Sequence, residues 1–238
     1  MPFEFFLAQT PAEINHSLPR NGKKAWMACH FSSYGTGLSN LPKQLPKGSM
    51  LIIDDSVPVA DHDPELVSSQ LKEAVEILQC SRVLLDFQRP DESRTADIAK
   101  AILQALSCPV GVSEIYAGDL DCSVFLPPLP LHIPLEQYLA QWQDRPIWLE
   151  VMPDCIRYSI TKDGCKAAAC TATGPFPHFD EKAFCRYRTE VTESAVYFTL
   201  CRKLSELTLL GQEERIECLV GLYQDFAQPE AQDTALDQ

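Results

Sequence analysis

Eight short apolar runs in the chain each end in polar or charged residues. A run that is apolar throughout is typical of a strand buried on both faces of a sheet. Polar residues at the carboxyl ends of such strands are what a parallel α/β barrel places around its active-site mouth. The pattern therefore predicts a barrel and the position of a site within it. The runs are residues 26–32, 50–55, 83–88, 110–114, 123–128, 147–150, 196–202 and 219–225.

Helical patterns alternate with several of these runs. Asp63 followed by Pro64 is typical of a helix start, because Asp accepts hydrogen bonds from the first turn and Pro has no N–H to leave unpaired. Apolar residues then follow at helical spacing, and the pattern recurs along the chain. Alternating strands and helices imply parallel pairing with right-handed crossovers. The predicted helices are residues 63–78, 93–106, 134–142 and, more weakly, 203–216.

Several connections depart from a regular barrel. Residues 31–48 are rich in Gly, Ser and Pro, which predicts a loop in place of the first helix. The stretch between Glu114 and Ser123 is shorter than the ~10–12 residues that a crossover helix with its loops requires. Residues 155–170 contain the turn Asp163-Gly164 between two short runs, which predicts an antiparallel hairpin.

These features predict an α/β fold, a reduced or irregular (β/α)8 TIM-like barrel. It forms a single domain over residues 1–228, with an antiparallel hairpin insertion at about 153–191. The length of 238 residues is close to the ~250 typical of such a barrel. An open doubly wound sheet is the alternative, but it would need a Gly-rich phosphate loop after an early strand, and the sequence has none. Residues 229–238 are predicted to be a disordered tail.

The charge of the chain narrows the range of partners. Its formal net charge is −13, which repels phosphate backbones and anionic membranes. No apolar run approaches the ~18 residues needed to span a bilayer, and the N-terminus lacks a basic leader. We therefore expect a cytoplasmic protein whose partner is a small molecule or an oligosaccharide rather than nucleic acid or a membrane.

The cysteines and histidines give no indication of a metal or cofactor. The ten cysteines are scattered with no C-x-x-C, and buried thiols of this kind behave as small hydrophobic groups. Cys165 and Cys170 are the only close pair, and no histidine stands at zinc-ligand spacing from them. The five histidines form neither H-x-H nor H-E-x-x-H, so a metal-dependent hydrolase is the less favoured alternative.

Candidate site residues come from the polar ends of the predicted strands. Residues two apart on a strand share a face, so alternate polar residues near the strand ends are expected to converge at the barrel mouth. Carboxylates crowded in a cleft suit general acid–base chemistry, because burial and mutual repulsion separate their pKa values. A strand-end acid can instead cap the next helix or pair with an arginine. The candidate catalytic residues are Asp86, Glu114 and Glu150, and the candidate binding residues are His30, Asp54, Asp55, Gln88, Tyr116, Trp148, Arg202 and Tyr223.

The run at residues 83–88 resembles the strand motif of family 18 glycoside hydrolases, the chitinase-like barrels. In that motif an apolar strand ends in Asp-x-Glu, and the Glu is the proton donor. Asp86 matches the Asp, but Gln88 stands in the place of the catalytic Glu, and Ser81 and Leu84 replace the two earlier aspartates. The resemblance implies either a glycosidase in which Glu114 or Glu150 is the acid, or a sugar-binding protein of glycosidase ancestry. Asp86 with Glu114 is the expected pair, because their strands are adjacent in the predicted order.

Overall fold

The computed structural model describes residues 4–10, 12–13, 16–18, 22–28, 41–55, 62–89 and 93–226. Its centre is a closed barrel of eight parallel strands, in the order β1-β13-β7-β6-β5-β4-β3-β2. The predicted barrel is therefore confirmed, and the open sheet is rejected. The barrel strands are β1 (Glu4–Gln9), β2 (Gly22–Ala28), β3 (Met50–Asp54), β4 (Arg82–Asp86), β5 (Val110–Ser113), β6 (Ser123–Leu126), β7 (Ile147–Glu150) and β13 (Ile216–Leu222).

Helices of very different length connect these strands. The first begins as predicted, with the Asp63 carboxylate accepting hydrogen bonds from the backbone N–H groups of Glu65 and Leu66. Between β5 and β6 there is a single helical turn, as the short spacing required. The helices are α1 (Pro64–Leu78), α2 (Ser93–Ala105), α3 (Glu114–Ala117), α4 (Leu135–Leu139, followed by a 3-10 turn Ala140–Trp142), α5 (Leu204–Leu210) and α6 (Tyr223–Phe226).

A five-stranded antiparallel sheet is inserted between β7 and α5, in the order β10-β11-β12-β8-β9. The predicted hairpin forms its β8–β9 edge, and its turn lies next to Gly164, whose φ of 127° favours glycine. The strands of this sheet are β8 (Asp154–Thr161), β9 (Gly164–Ala169), β10 (His178–Asp180), β11 (Cys185–Val191) and β12 (Val196–Arg202).

The sequence analysis assigned one barrel strand wrongly. The run Val196–Arg202 is not in the barrel but is an antiparallel strand between β8 and β11. The N-terminal run Glu4–Gln9 closes the barrel instead, pairing with β2 and β13. The two runs are similar in length and apolar content, and neither property specifies the pairing partner. The predicted tail at 229–238 lies outside the described residues.

The barrel has an apolar interior that fixes which way each strand-end residue points. Trp148 is fully buried there, and a side chain at Gly111 would place its Cβ 2.2 Å from the Trp148 ring. Glycine at this position therefore makes room for the indole. A second apolar layer lies between the strands and the helices. The interior is formed by Phe6, Ala8, Ala25, Met50, Ile52, Leu84, Phe125, Trp148, Cys218 and Val220.

Candidate functional site

Four barrel strands carry a polar side chain at the carboxyl end of their interior face. Because side chains alternate along a strand, the residue two positions beyond an interior residue also faces the interior. Ile52, Leu84, Gly111 and Trp148 face the interior of β3, β4, β5 and β7, so the polar residues that follow them do as well. We call these residues, Asp54, Asp86, Ser113 and Glu150, the mouth cluster.

Asp86 is the best-connected member of the mouth cluster. Gln88 Nε2 donates a hydrogen bond to Asp86 Oδ1 at 2.5 Å. Ser113 Oγ lies 3.4 Å from the same oxygen and 3.2 Å from the Leu85 carbonyl. Asp54 lies directly opposite Asp86 in the β3–β4 register. The carboxylate is therefore held by two neutral donors and faces another acid.

The pKa of Asp86 is raised above its ordinary value. Burial is the main cause, and the negative charges of Asp54 and Asp55 add to it. The hydrogen bonds from Gln88 and Ser113 act in the opposite direction, because they stabilise the ionised carboxylate. Asp86 is thus an acid with other acids close by, and two hydrogen bonds stabilise its ionised form.

Glu150 is a second acid close to other acids, but no hydrogen bond is among the causes of its pKa shift. Burial raises the pKa of Glu150, and the charges of Asp86 and Asp225 raise it further. Burial also raises the pKa of Asp225, on α6. Glu150 therefore keeps its proton to a higher pH than an ordinary glutamate, which is the property a general acid needs.

Two of the predicted binding residues position the loop that carries Gln88. Asp55 accepts a hydrogen bond from the Arg89 backbone N–H at 2.6 Å. The Tyr116 hydroxyl donates to the Arg89 carbonyl, and its ring meets Phe87 edge-on with the centroids 6.4 Å apart. Asp55 and Tyr116 thus fix the backbone beyond β4 from two sides, and this places the Gln88 amide against Asp86.

Glu114 is placed differently from the expectation. It is the first residue of α3, and Val112 before it belongs to the outer apolar layer rather than to the interior. Glu114 nevertheless lies near the mouth, close to the Tyr138 hydroxyl. Burial is the main cause of the raised pKa of Tyr138, and the charges of Glu114 and Glu150 both add to it. The Tyr138 hydroxyl donates to the Pro127 carbonyl at 2.7 Å.

Three other candidates make their hydrogen bonds or ring contacts with residues outside the mouth cluster, although Arg202 lines a small cavity together with Glu150. The Trp148 indole N–H donates to Glu217 Oε2 at 3.1 Å, near the start of β13 and therefore toward the amino end of the barrel. Arg202 belongs to the antiparallel sheet, where its guanidinium is bound by backbone carbonyls, including that of Phe184 at 3.0 Å. Tyr223 begins α6, with its ring centroid 5.6 Å from that of His16. His30 lies outside the described residues.

Sequence reasoning did not include three residues that contribute to this region: Ser113, Tyr138 and Asp225. Counting by two along the run at residues 110–114 groups Val112 with Glu114 as the expected inner face, whereas Gly111 and Ser113 occupy it. The pairing of a glycine with a bulky interior tryptophan on another strand decides this alternation. The one sequence signal was Gly111 itself, since glycine within a strand often marks a close approach.

No group of three or more metal-ligating side chains in the described part of the chain is arranged to hold a metal ion. Among the same residues, no helix is long and apolar enough to cross a membrane.

No protein-family model and no curated protein matches the sequence. Among solved structures, the spore cortex-lytic enzyme SleL of Bacillus megaterium QM B1551 is similar, with a TM-score of 0.53 and 12% identity over 97% of this chain and 74% of that chain. A putative sporulation-specific glycosylase, ydhD of Bacillus subtilis, aligns with a TM-score of 0.46 and 8% identity over 72% of this chain and 78% of its own, a likeness too low to support an argument. At this identity, the similarity to SleL shows a shared fold.

Proposed function

We propose that this chain is a glycoside hydrolase-like barrel that acts on a carbohydrate at the mouth cluster. The observation that carries the proposal is the pair Asp86 and Glu150. Both acids follow interior positions at the carboxyl ends of barrel strands, and the charge of Asp86 helps to raise the pKa of Glu150. Active sites of α/β barrels occupy this end of the strands. A neutral, hydroxyl-rich ligand can bind among acids that would repel an anion.

The environments of the two acids favour different roles. Glycosidic bond cleavage uses one carboxylic acid to protonate the leaving oxygen and one carboxylate as nucleophile or base. Glu150 keeps its proton because of burial and the neighbouring acids, so it suits the acid role. Asp86 accepts hydrogen bonds from Gln88 and Ser113, which favour its ionised form and suit the carboxylate role. Glu150 therefore replaces Glu114 as the preferred partner of Asp86.

Two likenesses support a carbohydrate ligand. The run at residues 83–88 resembles the strand motif of chitinase-like barrels, and the barrel shares its fold with a protein described as a spore cortex-lytic enzyme. Because fold alone does not fix chemistry, the proposal depends on the acids at the mouth rather than on the likeness.

A second candidate is a sugar-binding protein without hydrolytic activity, and Gln88 favours it. At the position where the family motif has its proton donor, Gln88 carries an amide that donates to Asp86 at 2.5 Å. An amide cannot transfer a proton as a carboxylic acid does. In this form the mouth binds a sugar without cleaving it.

A hydrolysis assay on matched variants tests the proposal. Wild type, Asp86→Asn, Glu150→Gln and Glu4→Gln are incubated with aryl-glycosides and with oligomers of N-acetylglucosamine. Glu4 is the control, because it lies at the amino end of the barrel, at the start of β1. We expect wild-type turnover that falls about 10²–10⁴-fold in each mouth variant, the usual contribution of an acid–base group, and little change in Glu4→Gln. Turnover that survives in both mouth variants contradicts the proposal.

The variant Gln88→Glu separates the two candidates. If wild type binds the oligomers but does not cleave them, and Gln88→Glu does cleave them, the chain is a binding protein that lost its acid. If wild type cleaves them, Glu150→Gln does not, and Gln88→Glu adds nothing to wild type, Glu150 is the acid. If no variant binds or cleaves any of the sugars, both candidates are wrong.

A further inference from the structure

Three cysteines lie side by side at the edge of the antiparallel sheet where β8 begins and where β9 and β12 end. Cys155 on β8 is directly opposite Cys201 on β12. On its other side is Cys170, just beyond β9, whose backbone N–H donates to the Cys155 carbonyl at 2.9 Å. Opposed residues of antiparallel strands project from the same face of a sheet. These residues, Cys170, Cys155 and Cys201, form a row of thiols that we call the cysteine row.

Within the row, Cys155 and Cys170 have the geometry of a disulfide precursor. Their sulfur atoms are 2.9 Å apart. The Cα atoms of opposed residues in antiparallel strands are ~4.5–5.5 Å apart, within the ~4.4–6.8 Å that a disulfide spans. Closing this bond therefore needs little movement of the backbone. Cys165 lies at the other end of the same hairpin, opposite Ile160, and is exposed.

The members of the row differ in access to solvent. Cys170 is half-buried, whereas Cys155 and Cys201 are buried. Burial and the neighbouring Cys155 raise the pKa of Cys170 to about 11, so its thiolate is a minor form at neutral pH, and the positive charges of Arg157 and Arg188 act in the opposite direction. These two arginines also favour the approach of an anionic reagent. Cys170 is therefore the thiol that a small charged disulfide reaches first.

We propose that Cys155 and Cys170 are a site of reversible oxidation that forms a disulfide by exchange with a small anionic disulfide such as glutathione disulfide. Cys170 first loses its proton, and the thiolate attacks one sulfur of the reagent, so that a mixed disulfide forms as one glutathione thiolate leaves and takes up a proton. Cys155 then loses its proton and attacks the Cys170 sulfur, which releases the second glutathione. Two protein thiols are oxidised, and one glutathione disulfide is reduced to two glutathione thiols.

Mapping of the cross-link tests this site. The folded full chain is incubated with glutathione disulfide, quenched in acid, alkylated and digested with trypsin, so that the three thiols of the row and Cys165 fall in separate peptides. After a second cleavage at Glu with the protease Glu-C, we expect peptide 151–157, in which Cys155 is the one cysteine, to be linked to peptide 167–181, with a combined mass lower by two hydrogen atoms. Cys165 is the internal control: without a neighbouring thiol opposite it, it should carry only glutathione or the alkylating group.

Variants identify the order of the steps. Cys155→Ser should accumulate glutathione on Cys170, because the second attack is lost. Cys170→Ser should abolish the cross-link, and Cys165→Ser should leave it unchanged. Three results would overturn the proposal: no cross-link in the folded wild type, a link from Cys155 to Cys201 in its place, or the same set of links when the reaction is run in urea on the unfolded chain.

Discussion

The pKa of an acidic residue shifts in opposite directions at the two ends of the barrel: that of Glu4 at the amino end is lowered, and that of Glu150 at the carboxyl end is raised. At the amino end, Glu4 forms ion pairs with Lys23 and with Arg82, the latter at 2.7 Å. Although burial alone would raise it, these two cations lower the pKa of Glu4 overall. At the carboxyl end, the charges that act on Glu150 are those of Asp86 and Asp225, and its pKa rises.

This difference separates charges that stabilise the fold from charges that are suited to chemistry. A carboxylate whose pKa is lowered on folding stabilises the protein above its ordinary pKa, and one whose pKa is raised destabilises it there. Acids with raised pKa values cluster at functional sites, where a proton must be held or transferred. The ion pairs of Glu4 at the amino end thus stabilise the fold, and the carboxyl end carries the candidate site.

The largest effect is expected from removing one large interior side chain beneath the mouth cluster. Trp148→Ala should lower the free energy of unfolding by about 3–5 kcal/mol, because it leaves a cavity in the barrel interior. Guanidinium unfolding followed by circular dichroism measures the change. The control is Trp142→Ala, because Trp142 is only partly buried and its loss should cost less. A loss for Trp148→Ala no larger than that of the control would contradict the placement of its indole.

A smaller loss is expected at the amino end. Glu4→Gln should lower the free energy of unfolding at pH 7 by about 1–2 kcal/mol, since it removes a charge that pairs with the mostly buried Arg82, while the pair with the exposed Lys23 adds little. Because the pKa of Glu4 is lowered on folding, the difference from wild type should vanish as the pH falls through that pKa, below 4.5. Equal unfolding midpoints at pH 7 would show that the pairs contribute no stability.

The same chemical change at the mouth should have the opposite sign. Asp86→Asn and Glu150→Gln should each raise the melting temperature at pH 7 by about 2–4 °C, which corresponds to about 1 kcal/mol for a chain of this size. The wild-type penalty builds up as the pH rises from the ordinary pKa, 3.8 for Asp86 and 4.5 for Glu150, through the raised folded value. Near pH 3 the gain should therefore disappear. A lower melting temperature at pH 7 would show that these acids stabilise the fold.

The smallest effect is expected from the loop that positions Gln88. Tyr116→Phe removes one hydrogen bond to the Arg89 carbonyl and keeps the ring contact with Phe87. It should cost about 0.5–1.5 kcal/mol, the usual net value of a hydrogen bond. Protection of the backbone amide of Arg89 from hydrogen exchange should fall in this variant. Unchanged protection would mean that Asp55 alone holds the loop.

The sequence predicted the barrel because periodicity and polar strand ends are local signals. The runs at residues 83–88 and 147–150 placed Asp86 and Glu150 on the inner face, and the interior positions of Leu84 and Trp148 agree with this. The helix start at Asp63 was likewise readable, since its cap depends only on neighbouring residues.

Features that depend on partners distant in the sequence were not predictable in this way. The run Val196–Arg202 and the run Glu4–Gln9 look alike, and only pairing across the sheet assigns one to the insertion and the other to the barrel. Cys165 and Cys170 are close in sequence, yet Cys170 meets Cys155 because the hairpin brings the two ends of its strands together. In both cases a non-local contact decides the outcome.

The account is tested most directly by titrating the carboxyl carbons of Asp86, Glu150 and Glu4 by NMR, with and without an N-acetylglucosamine oligomer. In the free protein, Asp86 and Glu150 should titrate above their ordinary values and Glu4 below its own. Adding the oligomer should shift the signals of Asp86 and Glu150 and leave that of Glu4 in place. If Asp86 and Glu150 titrate at ordinary values and do not respond to the sugar, the barrel mouth is not the site proposed for it.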